Sequence, residues 1–291
     1  MSNTAVQVAR EVPMQPAGPA AGRVRRAAGR VRRTTRRRVQ DAVALGFTSI
    51  VRQQQHRGGL SPRVERALSV AVASLNMTDS GQRARQDSPA VRSVIDAFNR
   101  LYYDDRGTWR QNRWQGTRIL KCPCDLWLYQ EIIHQVRPGL IIETGTAFGG
   151  SASFLGWLCD IEHYGRVVSI DIRPRPGGPL PHPRVTYLTG SSTDPGIVAK
   201  VRAMVPSDAP ILVILDSDHG MDHVCGELEA YCELVSIGSY LIVEDTNIKG
   251  TGPMEAVDWL LPRHEDFVID ESMERHHLTL NPKGFLKRLP A

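Results

Sequence analysis

The stretch that decides the fold is Leu140–Ser151, with the sequence LIIETGTAFGGS. An apolar run ends in an acid and opens into small residues, and the apolar residues of 152–158 follow. This pattern predicts a buried strand, a tight turn and a helix, the opening unit of a nucleotide-type α/β domain. The glycines let the backbone approach a ligand, and the helix start offers unpaired N–H groups.

A second predicted strand, Arg166–Arg173, carries an acid at Asp171. An acid in this position, well past a glycine-rich turn, is where such domains hold the hydroxyls of a ribose. The alternative is an acid that caps the loop after the strand. The turn lacks the G-x-G-x-x-G spacing and follows Glu143, so it looks more like the first motif of S-adenosylmethionine methyltransferases than a dinucleotide site.

Further apolar runs predict the rest of the sheet, at residues 185–188, 210–215 and 239–243. They alternate with helical patterns, which indicates a doubly wound, mostly parallel sheet. Two short runs near the end, Phe267–Asp270 and His277–Leu280, predict an antiparallel edge hairpin. The expected fold class is a Rossmann-like α/β fold with an antiparallel closing strand and an N-terminal helical extension.

The composition of this 291-residue chain limits the classes of protein to which it can belong. The sequence has neither an apolar run long enough to span a membrane nor the apolar core of a signal peptide, so we expect no membrane partner. Five irregularly spaced cysteines suit a reduced cytoplasmic protein. The net charge of +5 is local, because nine arginines lie between Arg23 and Arg38.

The sequence divides into three predicted segments. Residues 1–60 form a disordered, arginine-rich extension, residues 61–120 a helical and aromatic lid or oligomerisation segment, and residues 121–291 the α/β domain. The arginine segment lacks the interleaved aromatic residues that stack on bases, so nucleic acid is not the expected partner. The tryptophans of the aromatic segment Tyr102–Leu128 either stack on a ring-shaped ligand or fill the core under a loop.

Acids follow two more predicted strands, and parallel strands bring their carboxyl ends to one ligand-binding edge. These acids are Asp216, Asp218, Glu244 and Asp245. Carboxylates crowd together only with a compensating cation, because each ionised group raises the pKa of its neighbours. Hard oxygen ligands point to Mg²⁺ or a similar ion.

His219 lies in the same loop as Asp216 and is a candidate general base, since the ordinary pKa of histidine is about 6.5. The alternative is a loop histidine that only makes a supporting hydrogen bond. Small polar residues after the third strand, including Ser191, are placed to face an adenine ring.

A set of ordered motifs resembles the cephalosporin hydroxylase / rhamnosyl O-methyltransferase family over about residues 90–290. The motifs are Trp109-x4-Trp114-x-Gly116, Lys121-x-Pro123-x-Asp125-Leu126-Trp127, Glu143-Thr144-Gly145-Thr146, Gly149-Gly150-Ser151, Leu215-Asp216-Ser217-Asp218-His219, Val243-Glu244-Asp245-Thr246-Asn247, Gly252-Pro253-Met254-Glu255-Ala256-Val257 and residues 278–288. The first 60 residues fall outside this resemblance.

The resemblance implies a class I O-methyltransferase that uses S-adenosylmethionine and Mg²⁺ and acts on a sugar hydroxyl of a glycosylated natural product, as in antibiotic biosynthesis. It implies a metal site at Asp216, Glu244 and Asp245, with Asp218 as a competing ligand, and His219 as the base. The cofactor residues we expect are Glu143, Gly145, Thr146, Gly149, Ser151, Asp171, Ser191 and Asp216.

Other functions stay open at this point. The acceptor is a glycoside, a polyol or a catechol-like compound, since vicinal oxygens on either kind of ring chelate a metal. A non-catalytic assembly protein built on the same fold is the second class of function. The resemblance also implies a homo-oligomer. We expect no oxygen chemistry, because the sequence has no two-histidine, one-carboxylate iron motif at recognisable spacing.

Overall fold

The computed structural model describes residues 89–105, 107–173, 175–248, 250 and 252–290. The sheet and the candidate site lie within Ile95–Ala291, which is one compact unit. The predicted arginine-rich extension 1–60 and residues 61–88 of the predicted helical and aromatic segment lie outside the described residues. Within the described ranges, no helix has the length and apolar character needed to cross a membrane.

The strands form a small hairpin and one large sheet. The hairpin pairs β1 (Arg113–Trp114) with β2 (Thr117–Arg118). The seven strands of the sheet are β3 (Leu140–Thr144), β4 (Arg166–Asp171), β5 (Val185–Thr189), β6 (Ile211–Leu215), β7 (Tyr240–Val243), β8 (Phe267–Ile269) and β9 (Phe285–Arg288). Their spatial order is β5-β4-β3-β6-β7-β9-β8. The first five in this order run parallel, and β9 and β8 pair antiparallel, which confirms the predicted fold class.

Six α-helices accompany the sheet in the described part of the chain. They are α1 (Pro89–Asn99), α2 (Pro123–Val136), α3 (Gly150–Ile161), α4 (Pro195–Ala203), α5 (Met221–Tyr231) and α6 (Pro253–Leu260). A π-helical turn, Arg100–Asp105, follows α1, and short 3-10 helices cover Thr108–Gln111, Cys232–Leu234 and Glu271–Glu274. Pro123 suits the first turn of α2, where its missing N–H leaves no hydrogen bond unmade.

The core lies on both faces of the sheet. Successive residues of a strand point to opposite faces, so Ile142 packs in one apolar cluster and its neighbour Ile141 in the other. Helices α4, α5 and α6 cover the first face, and α2 and α3 cover the second. Burial on both faces explains why the central strands are continuous apolar runs.

The predicted edge hairpin is wrong in its second strand. β8 pairs with β9, which lies between β7 and β8, whereas residues 277–280 form no strand. The N–H of Leu280 donates instead to a carboxylate oxygen of Asp125, at 2.9 Å. The 277–280 segment therefore bonds to the start of α2 rather than to a sheet edge.

The topology sets the position of a ligand crevice. β3 has β4 on one side and β6 on the other, so the chain direction across the sheet reverses between β3 and β6. Ligands of doubly wound sheets bind beyond the carboxyl ends of the strands at such a point. The turn after β3 and the loop after β6 lie here.

Candidate active site

The turn after β3 packs directly on the loop after β6. Gly145 has φ 88°, and a Cβ there would lie 1.7 Å from the carbonyl oxygen of Asp216. Its N–H donates to the Ile170 carbonyl at 2.8 Å. Gly149 precedes α3 with φ 81°, and a Cβ there would lie 2.3 Å from Pro179. Only glycine fits these two close approaches.

Polar side chains beneath the turn hold its shape. The Ser169 hydroxyl donates to Glu143 at 2.6 Å and hydrogen-bonds the Thr146 hydroxyl at 2.7 Å. Glu143 is fully buried, and burial raises the pKa of its carboxyl. Thr146 and Ser151 line the cleft described below, whereas Glu143 supports the turn from beneath.

Asp171 caps the same turn. One carboxylate oxygen accepts the Ala147 N–H at 2.7 Å, and the other accepts the Arg173 N–H at 3.2 Å. The loop-capping interpretation of Asp171 is therefore realised, and its role toward a ribose remains a prediction. Ser191 shares a hydrogen bond with the Thr193 hydroxyl at 3.0 Å, and its role toward adenine likewise remains a prediction.

A buried carboxylate joins the loops after β5 and β6. Glu227, on α5, accepts hydrogen bonds from the hydroxyls of Ser192 at 2.5 Å and Ser217 at 2.6 Å. Ser217 lines the cleft, and Glu227 is 1% exposed. No local pattern in the sequence indicates this link, because the three residues lie on separate elements.

Three of the predicted site residues meet in one group. Asp216, His219 and Asp245 each offer a potential ligand atom, and these atoms lie within 4.8 Å of one another. The Nε2 atom of His219 lies 3.2 Å from Asp245 Oδ2 and 3.9 Å from Asp216 Oδ1. Hydrogen bonds to Asp216 and Asp245 raise the pKa of His219 to about 10. With only these carboxylates around it, the imidazole carries a proton at neutral pH.

Lys121 enters the same group and was not assigned by the sequence analysis. Its Nζ atom donates to Asp216 Oδ2 at 2.5 Å and to Glu244 Oε1. Burial alone would lower the pKa of Lys121, but the Asp216 and Glu244 carboxylates raise it above the ordinary value. The motif around Lys121 contributed to the family resemblance, yet nothing local in the sequence links this residue to acids so far along the chain.

The other two predicted metal ligands, Glu244 and Asp218, are not members of the three-residue group. Glu244 is 3% exposed, accepts a hydrogen bond from the Tyr129 hydroxyl at 2.6 Å, and adjoins Asp216 through Lys121. Burial raises the pKa of Glu244 well above its ordinary range, and Lys121 acts in the opposite direction. Asp218 is exposed and accepts the Gly220 N–H at 2.7 Å, so the structure does not bring it to the group.

Asp245 stands in the left-handed region, with φ 56°. Asn281, which is fully buried, accepts its N–H and donates to the Tyr129 hydroxyl at 3.2 Å. Asn281 was not predicted as a site residue, because no local pattern in the sequence indicates that it bonds to Asp245, which lies far before it in the chain.

A cleft of about 260 Å³ connects these features. Its walls include Gly145 and Thr146 of the turn, the Asp216–His219–Asp245 group, Lys121, and the aromatic side chains of Tyr103, Trp109 and Phe148. The guanidinium of Arg118 lies 4.1 Å from the Phe148 ring centre. The cleft therefore joins the predicted cofactor turn to the predicted metal group.

The tryptophans of the aromatic segment divide between the two interpretations. Trp109 lines the cleft, as a ligand-stacking residue would. Trp114 packs edge-on against Phe154 at 4.9 Å and joins the core instead. Trp127 does neither, since it is 61% exposed on α2.

The fold and the cleft define a doubly wound α/β protein with an acid-rich ligand site at its topological switch point. The family model described as Rhamnosyl O-methyltransferase/CmcI matches residues 106–289, and the chain belongs to this family. A rhamnosyl O-methyltransferase of Mycobacterium tuberculosis (strain ATCC 25618 / H37Rv) is 34% identical over 211 residues, which cover 67% of this chain and 85% of the relative.

Solved structures of CmcI share the fold. The apo structure has a TM-score of 0.51 and 24% identity, and the structure with Mg and SAM has a TM-score of 0.51 and 22% identity. Each match covers 62% of this chain and 78% of CmcI. At these identities the likeness concerns the fold alone.

Proposed function

We propose that this protein is an O-methyltransferase that uses S-adenosylmethionine and Mg²⁺ and acts on a sugar hydroxyl of a small molecule. The observation that carries the proposal is the meeting of the glycine turn and the Asp216–His219–Asp245 group in one cleft. Family membership supports the reaction class. The name of the mycobacterial relative supports a sugar acceptor, and the CmcI complex with Mg and SAM supports the two cofactors.

The glycine turn fits the nucleoside cofactor. The space that a Cβ would fill at Gly145 is occupied by the backbone of Asp216, so the turn and the loop after β6 form one continuous wall of the cleft. Thr146 and Ser151 offer hydroxyls from the same side. We assign Asp171 to the ribose and Ser191 to the adenine, because Asp171 ends β4 and Ser191 follows β5 at the edge where the turn lies.

The acid group fits a divalent ion by its donor set. Asp216 and Asp245 offer the carboxylate oxygens that Mg²⁺ prefers, and Glu244 adjoins them through Lys121. A Mg²⁺ ion held by these carboxylates would supply the positive charge that lowers the pKa of an acceptor hydroxyl. We assign Asp216, Asp245 and Glu244 to the ion. Asp218 would have to leave its bond to Gly220 to join them.

His219 is the proposed base. Its imidazole lines the cleft beside both aspartates and is the group there best suited to accept a proton from a hydroxyl. Its hydrogen bonds to Asp216 and Asp245 favour the protonated form, so it can accept a proton only when other partners hold those carboxylates. The protonation state of His219 thus depends on what Asp216 and Asp245 bind.

The aromatic wall of the cleft suits a sugar ring. Tyr103 and Trp109 lie with ring centres 5.9 Å apart and both line the cleft. A flat aromatic face packs against a ring at low cost in conformational entropy. The Tyr103 hydroxyl is buried and has no hydrogen-bond partner among the residues described, and we assign it to a hydroxyl of the acceptor, which it would reach once the ring moves toward the cleft.

The experiment that tests the proposal is an acceptor screen. The protein is incubated with S-adenosylmethionine and MgCl₂ and offered methyl α-L-rhamnopyranoside, catechol or no acceptor, and S-adenosylhomocysteine is measured. We expect product with the rhamnoside and loss of turnover in His219→Ala. If only catechol were methylated, the acceptor would be a catechol-like compound and not a sugar. Cofactor binding without turnover of either compound would favour the non-catalytic assembly protein.

A further inference from the structure

Lys121 is the most deeply buried cation of the described structure. Among the described residues it is the only lysine or arginine that is buried, with 2% exposure. Burial of a charge is costly unless the charge is paired and hydrogen-bonded. The position of this lysine therefore depends on the carboxylates around it.

The backbone at Lys121 and directly after it is fixed independently of those carboxylates. The Lys121 carbonyl accepts a hydrogen bond from the Asn112 side-chain amide at 3.0 Å and from the Tyr102 hydroxyl at 3.4 Å. Pro123 then begins α2. Because the chain is held at this point, the side chain is anchored where it reaches the acid group.

The ammonium contacts two of the three carboxylates that are assigned above to the divalent ion. Its Nζ atom bridges Asp216 Oδ2 and Glu244 Oε1, and Asp216 is also a member of the Asp216–His219–Asp245 group. Tyr129 supplies a neutral second hydrogen bond to the same oxygen of Glu244, at 2.6 Å. The lysine thus supplies a positive charge to the two carboxylates, and the tyrosine only a hydrogen bond.

We propose that Lys121 is a built-in counter-cation that competes with the divalent ion for Asp216 and Glu244 and so sets how tightly the ion binds. This inference rests on the proposed function, since it treats the acid group as a metal site. Lys121 acts through the two carboxylates and is a positioning residue. Two cations that share the same carboxylates repel each other, so the lysine weakens ion binding while it stabilises the protein without the ion.

The test measures metal binding directly, without an acceptor. MnCl₂ is titrated into the wild type, Lys121→Met and Tyr129→Phe, and the concentration of free Mn²⁺ is measured by electron paramagnetic resonance. We expect Lys121→Met to bind Mn²⁺ at least about tenfold more tightly, because a full positive charge has left the site. Tyr129→Phe is the control: it removes the hydrogen bond to the same Glu244 oxygen and the one from Asn281, but no charge, and should not tighten binding.

Thermal unfolding gives a second readout. Lys121→Met should have a lower melting temperature than the wild type in EDTA, and a larger rise on addition of MgCl₂. A purely structural lysine would give a different result, with weaker Mn²⁺ binding in the variant because the carboxylates lose their arrangement. Unchanged or weaker Mn²⁺ binding by Lys121→Met, with binding by the wild type intact, would overturn the inference alone.

The proposed metal site can fail separately. If the wild type binds no Mn²⁺, the metal part of the proposed function is wrong, and the inference falls with it. If Lys121→Met does not fold, the comparison moves to Glu244→Gln and the double variant Lys121→Met/Glu244→Gln, which leaves no unpaired buried carboxylate at position 244. The double variant should still bind Mn²⁺ more tightly than Glu244→Gln, and equal binding would overturn the inference.

Discussion

The side-chain carbonyl of Asn281 accepts the backbone N–H of Asp245 at 3.0 Å and holds this residue at φ 56°. Aspartate tolerates the left-handed region better than most residues, but the conformation still costs free energy. The segment that precedes β9 thus fixes the direction in which the acid after β7 faces the cleft.

We therefore expect Asn281→Ala to weaken Mn²⁺ binding and to lower the free energy of unfolding by about 1–3 kcal/mol, the usual cost of leaving buried partners unsatisfied. Titration calorimetry and urea denaturation measure the two effects. Thr246→Val is the control, because it removes only the hydroxyl bond to the Pro282 carbonyl. It should reduce stability and leave Mn²⁺ affinity unchanged. Equal loss of affinity in both variants would argue against a specific role of Asn281.

Gly145→Ala should abolish cofactor binding. A Cβ at Gly145 would meet the Asp216 carbonyl oxygen at 1.7 Å, so the turn and the loop after β6 would have to separate. Gly238→Ala is the matched control, since Gly238 has φ 83° and no atom within 4 Å of the added Cβ. Both variants carry the backbone strain of a positive φ, and only Gly145→Ala carries the clash. S-adenosylmethionine titration should therefore separate them, and equal affinity would contradict the assignment of the turn.

His219 should make the stability of the protein without metal depend on pH. Its folded-state pKa of about 10 exceeds the value of about 6.5 expected when unfolded, so its contribution is full below pH 6.5 and disappears as the pH rises through 10. In urea titrations with EDTA, the stability advantage of the wild type over His219→Gln should shrink across this window. His276→Gln, at an exposed position, is the control. If the stability advantage of the wild type over His219→Gln did not change with pH, the proposed ion pairs of His219 would be wrong.

Tyr103→Phe should raise the KM for the acceptor and leave cofactor affinity unchanged. The variant keeps the ring that lines the cleft and removes only the hydroxyl, which has no partner in the described part of the structure. Initial rates with methyl α-L-rhamnopyranoside measure the effect. Tyr164→Phe removes a hydroxyl from a 41% exposed side chain outside the cleft and should behave like the wild type. If only the cofactor affinity changed, Tyr103 would contact the cofactor rather than the acceptor, and its assignment would be wrong.

The sequence predicts the parts of the fold that have local signals. The runs at Leu140–Thr144 and Ile211–Leu215 are strands because their residues are apolar and end at turn-forming residues. The acids that follow β6 and β7 approach one another because parallel strands end at one edge. A homo-oligomer and the three-segment division of the chain remain predictions.

The parts that sequence reasoning missed depend on distant contacts. Lys121 and Asp216 are 95 residues apart, and Tyr129 and Glu244 are 115 apart. No local pattern shows that these side chains meet. The position of β9 between β7 and β8 is of the same kind, since the edge pairing depends on which apolar segment packs against β7.

Calorimetric titration of S-adenosylmethionine, with and without MgCl₂, into the wild type and Glu244→Ala tests both the cofactor and the metal assignment. We predict cofactor binding by the wild type and a separate magnesium signal that is weakened or lost in the variant. Failure of S-adenosylmethionine to bind under either condition would contradict the methyltransferase assignment.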